Sequence, residues 1–107
     1  MRFKLILASV KPDYVDTVVE AGKSAGATGA TIISGRGTGI HEASSFFGLT
    51  LEMQTDIIMF LIEEHIVNPV LEAISTAGEF EKPGTGIAFV LPVDKVVGLE
   101  SQIEKFK

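Results

Sequence analysis

Six large apolar residues stand side by side from Ile57 to Ile62, "IIMFLI", the longest aliphatic and aromatic run in this chain of 107 residues. A membrane-spanning helix needs about 20 such residues, so the run is far too short to cross a bilayer. As a strand it sends successive side chains to opposite faces of a sheet, and it is therefore apolar front and back. A second stretch, "IAFVLPV" from 87 to 93, has the same character. Whatever fold holds these two strands must cover a sheet on both sides.

The surrounding pattern limits how that cover can be supplied. "RFKLILAS" (2–9) reads as a strand with Phe3, Leu5 and Leu7 on one face and Ile6 and Ala8 on the other. Pro12 suits the first turn of a helix, and Val15, Val18, Val19, Gly22 and Ala25 follow at helical spacing until "GATGAT" stops it. "TIIS" (31–34) is a short strand feeding the glycine run "SGRGTGIHEASSFFG" (34–48). "LEMQTDIIMFLI" (51–62) is a long strand, and Ile66–Ala77 a second helix with Ile66, Val67, Val70, Leu71 and Ile74 inward. Pro69 fits either the first turn of that helix or its first residue behind an Asn68 cap. "GEFEKPGTG" (78–86) is a second glycine loop, and 87–93 the last strand.

That order predicts a single α+β domain over 1–107, a ferredoxin-like βαββαβ sandwich. Its four-stranded antiparallel sheet carries both helices on one face. Two helices leave the other face bare. A patch of about ten apolar side chains exceeds the few hundred Å² that monomers usually expose. Each large side chain covered is worth roughly 1.5–3 kcal/mol, and the simplest cover is the same face of identical chains. A homo-oligomer is expected, and the charged and apolar remainder from 94 to 107, including the C-terminal tail 98–107, can fold along a neighbour.

Composition removes several function classes. Net charge is −5, and the nine Lys and Arg are spread along the chain, which speaks against nucleic acid as a partner. With no cysteine there is neither a disulfide framework nor a thiolate nucleophile. The opening "MRFKLILASVK" has no small-residue cleavage site, so a cytoplasmic location is expected.

Candidate chemistry concentrates in the two glycine loops. "GRGTG" lacks the Gly-Lys-Ser/Thr ending of a Walker A loop and the x-x-G of a dinucleotide fingerprint. Its glycines either supply positive φ alone or bring backbone N–H groups close to an anion, and "KPGTG" offers the same choice. His41 and Glu42 are two potential metal ligands without a third at a convincing spacing, so no metal is expected. His65 beside Glu63 and Glu64 reads as a solvated face, and Ser44 and Ser45 lack a base. Phe46 and Phe47 are either packing plugs or a hydrophobic tip that meets a partner; Phe60 and Phe89 read as core or interface positions.

The strand ending in Lys11–Pro12, the segment "GATGATIISGRGTG" and the closing "GIAFVLPVDKVV" together resemble the P-II nitrogen regulatory protein family over roughly 3–97. The resemblance implies a non-enzymatic signalling homotrimer with sheets facing inward. It also implies clefts between subunits that bind an adenine nucleotide (ATP, ADP, AMP or cyclic AMP) or a related small effector. A mobile loop, about 37–54 here, would engage a target enzyme or membrane transporter, with His41, Glu42, Phe46 and Phe47 at the contact. Thr31, Gly37 and Gly39 match family cleft positions, as do Gly84 and Gly86 of the second glycine loop, with Thr38 and Thr85 beside them. Departures are instructive. The loop has no tyrosine, so nucleotidylation control is expected to be absent. Ile40, Ile87, Gly98 and Glu100 fall at or near places where the family carries phosphate-neutralising cations. Arg36 and Lys82 are left to meet a phosphate alongside backbone N–H groups.

The alternative is a metal-handling trimer resembling the CutA-type ion-tolerance proteins, with His41, Glu42 and nearby acids as ligands. An enzyme of acylphosphatase type would need an arginine just after the first strand, and "SVKPDY" has none.

Overall fold

The computed structural model describes residues 2–37 and 53–99, with side chains over 2–36 and 54–99. In chain order the elements are β1 (Phe3–Val10), α1 (Val15–Ser24), β2 (Thr31–Gly37), β3 (Met53–Glu63), α2 (Val67–Ala77) and β4 (Gly86–Val93). A single 3-10 turn leads into each helix, at Pro12–Tyr14 and at Glu64–Ile66. The sheet is antiparallel at every pairing and ordered β2-β3-β1-β4. The βαββαβ order and the sheet agree with the expected ferredoxin-like sandwich.

One boundary differs from the sequence reading, and one alternative left open there is decided. Gly35–Gly37 is strand rather than loop, because Met53–Thr55 supplies backbone partners along its whole length. Pairing through the main chain does not care that the side chains are small, so the start of the glycine run, through Gly37, extends the sheet. Pro69 lies in the first turn of α2 behind Val67 and Asn68, where its missing N–H has no intrahelical partner to lose. Asn68 is therefore helical rather than the cap.

Register explains the core. Ile6 lies between Phe60 and Val90, and Ala8 between Ile58 and Ala88. Cross-strand neighbours share a face, and Ile6, Ala8, Ile58 and Phe60 are all fully buried. The helices cover this face with Val15 and Val18 of α1 and Val70 and Ile74 of α2. Gly22 lets α1 come close: a Cβ there would stand 2.7 Å from two carbons of the Phe60 ring.

The other face carries Leu5 between Leu61 and Leu91, Leu7 between Met59 and Phe89, and Ser9 between Ile57 and Ile87. No described helix lies on it. Ile87 is 63% exposed, Phe89 47% and Leu91 41%, joined by Ile33 and Leu61. The apolar-both-sides expectation is met in the register.

Candidate ligand and partner site

One row of residues runs straight across the sheet: Ser34 opposite Asp56, Asp56 opposite Val10, Val10 opposite Gly86. Both glycine segments therefore reach the same end of the sheet, but on opposite edges. Three strand spacings of roughly 4.8 Å separate them, about 14 Å in all. Within one chain the structure does not bring Arg36 and Gly37 together with Lys82, Gly84, Thr85 and Gly86. Thr31 sits farther along the β2 edge, in the row of Met59, Leu7 and Phe89 on the open face, and is exposed. Thr38, Gly39, His41, Glu42, Phe46 and Phe47 lie outside the described residues.

At the β2 edge an open cleft is lined by Ser34, Gly35, Arg36 and Gln54. Opposite Ser34, Asp56 points with Ile58 and Phe60 to the helix side, since the three share the strand's period of two. Its Oδ1 is shielded from solvent and makes no hydrogen bond among the described residues. On the opposite face, the hydroxyls of Ser9 and Thr55 bond at 2.8 Å, and Thr55 also donates to the Val10 carbonyl at 3.1 Å. These contacts tie β1 to β3 at the glycine end of the sheet.

The second glycine loop is tightly knit. Both helices finish in the same way, with the N–H two residues past the cap bonded back into the last turn. In α1, Ala27 donates to Gly22 O at 3.0 Å and Gly26 to Lys23 O at 3.1 Å. In α2, Phe80 donates to Ser75 O at 3.0 Å and Glu79 to Thr76 O at 3.2 Å. Such an ending needs one residue with left-handed backbone. In α1 it is Gly26, φ 128°; in α2 it is Glu79, φ 54°, the one non-glycine residue with positive φ among those described. A side chain in that conformation costs roughly 1–2 kcal/mol.

The Glu79 carboxylate is held at both oxygens. Tyr14 Oη donates to Oε2 at 2.5 Å, and Lys82 Nζ donates to Oε1 at 2.6 Å. The Thr85 hydroxyl lies 2.6 Å from Glu79 O and 2.9 Å from Lys82 O, and its one proton closes the turn from inside. The charges respond accordingly. The Lys82 hydrogen bond, followed by that of Tyr14, holds the Glu79 carboxyl below the usual carboxylate range. Glu79 in turn raises the Lys82 ammonium and the Tyr14 phenol. Phe80 is clamped beside this network. A Cβ at Gly78 would approach its ring to 2.3 Å, and one at Gly86 to 2.7 Å while also meeting Ser9 O at 2.7 Å.

Lys82, expected to meet a phosphate, is thus already engaged by a carboxylate of its own loop. Tyr14 and Glu79 were missed by sequence reasoning, since they meet across 65 positions. Asp56 was missed as well, although an acid two residues ahead of a buried alternation is a signal that could have found it. Among the described residues there is no cluster of three or more His, Cys, Asp or Glu able to hold a metal. His65 Nδ1 pairs with Glu63 at 3.2 Å on an exposed surface. No described helix is long and apolar enough to cross a membrane.

Comparison with known proteins fits this geometry. The family model described as "Nitrogen regulatory protein P-II" matches residues 3–102. A "Nitrogen regulatory protein P-II" of Azospirillum brasilense is 30% identical over 103 residues, covering 92% of each chain.

Proposed function

This chain belongs to the nitrogen regulatory protein P-II family, and from that premise we propose that it is a trimeric switch with ligand clefts between its subunits. Membership supports a regulatory signalling role; the family consists of regulators of target proteins rather than enzymes. The observation that carries the proposal is the uncovered sheet face, with Ile87, Phe89 and Leu91 exposed on one chain. Three copies closing on this face would bury it. They would also set the β2 edge of one subunit beside the β4 edge of the next. Glycine segments about 14 Å apart within one chain would then line a shared cleft, with Thr31, Arg36, Gly37, Thr38 and Gly39 from one side and Lys82, Gly84, Thr85 and Gly86 from the other.

An adenine nucleotide is the ligand class we assign to this cleft. Backbone N–H groups dominate the donors and side-chain cations are few, so AMP or cyclic AMP suits the cleft better than ATP. Occupancy would bias the segment 37–54, through which a target enzyme or membrane transporter is controlled. Titration calorimetry with ATP, ADP, AMP and cyclic AMP tests this. The expected outcome is binding of at least one, with the less charged nucleotides the tighter. No heat with any of the four at millimolar concentration removes the nucleotide and leaves family and assembly untouched.

A further inference from the structure

We propose that Glu79 is a specificity-determining residue: an internal anion that occupies the Lys82 ammonium and that a phosphate-bearing ligand must displace. The proposal rests on reading the second glycine loop as one wall of the ligand cleft. Two independent observations carry it. The first is geometric: both Glu79 oxygens are taken, one by Lys82 at 2.6 Å and one by Tyr14 at 2.5 Å. The second is conformational. α1 fills the left-handed position after its cap with Gly26, whereas α2 puts Glu79 there at φ 54°. Glycine would satisfy that backbone without strain, so the side chain has to supply something that the helix ending does not need.

What it supplies is a carboxylate placed on the loop's own cation. Lys82 is three residues along the turn, and the Lys82 N–H donates to Glu79 O at 2.9 Å, which brings the two side chains to the same side. Tyr14, anchored in the turn ahead of α1, fixes the carboxylate from outside the loop and prevents it from swinging away with Lys82. An incoming phosphate meets this pair as a competitor. A neutral or weakly charged ligand does not, because it can use the loop N–H groups and leave Lys82 with Glu79. Phosphate charge is thereby selected against.

The test is protection of Lys82 from acetylation by acetic anhydride, read by peptide mass spectrometry on the full chain. Wild type, Glu79→Gln, Glu79→Gly and Tyr14→Phe are compared, with inorganic pyrophosphate as the probe. Glu79→Gly removes the carboxylate while relieving the backbone, so loss of folding is not a confounding result. Pyrophosphate is expected to protect Lys82 in both Glu79 variants at concentrations about 2- to 5-fold lower than in wild type, the range set by an exposed ion pair. Tyr14→Phe should fall between. Equal concentrations in all four proteins, or no protection in any, overturn the proposal. ATP run in parallel separates this from the nucleotide reading. Protection by pyrophosphate as described, with none by ATP, removes the nucleotide and keeps the competition. Equal protection by ATP in wild type and Glu79→Gln keeps the nucleotide and removes the competition.

Discussion

The two faces of this sheet are made of the same residue types and have opposite fates. On one, Ile6, Ala8, Ile58 and Phe60 lie under two helices and are fully buried. On the other, Leu91, Phe89 and Ile87 of β4, which alternate with the helix-side Ala88 and Val90, stay 41–63% exposed. Hydrophobicity alone does not decide where a core forms; the two described helices cover only one side. The uncovered side is the part of the molecule that asks for a partner, and its strict strand register makes it a defined surface rather than a loose patch.

The contrast can be broken by truncating one phenylalanine on each face. Phe60→Ala opens a cavity under α1 and should cost about 3–5 kcal/mol in urea unfolding. Phe89→Ala should cost far less in dilute protein, since Phe89 is already 47% exposed. The Phe89 penalty should grow with protein concentration, because a side chain buried between copies stabilises the fold only when copies meet. Concentration-independent and equal penalties would show that the two faces do not differ in this way.

Gly22→Ala is the next largest effect and sharpens the packed side. The added methyl meets the Phe60 ring at 2.7 Å, and overpacking of this kind costs about 1–3 kcal/mol against the helix-propensity gain of alanine. A net loss of stability in urea is expected. An unchanged midpoint would mean that α1 stands farther from the sheet than described.

Much of this was readable from the residues. Element order followed from periodicities of two and 3.6, and Val18, Val70 and Ile74 fall on the buried helix stripes as their spacing required. The two-sided strands gave the open face directly. What escaped was non-local. Gly35–Gly37 looks like loop by composition and becomes strand only because Met53–Thr55 pairs with it. Ile32 lies on the helix side opposite Ile58, yet it is 49% exposed because β2 is the edge strand. Glu79 looked like an ordinary loop acid; only the helix ending and the distant Tyr14 give it a role. Both glycine loops stood out as candidates by composition, but their placement on opposite edges required the strand order.

Sedimentation velocity of the intact chain across a micromolar concentration series is the most direct measurement. The expected result is one boundary at roughly three times the 11.4 kDa chain mass, collapsing towards a single chain when Phe89 is replaced by aspartate. A folded wild-type chain that sediments alone throughout the series would contradict closure on the open face, and with it the clefts between subunits.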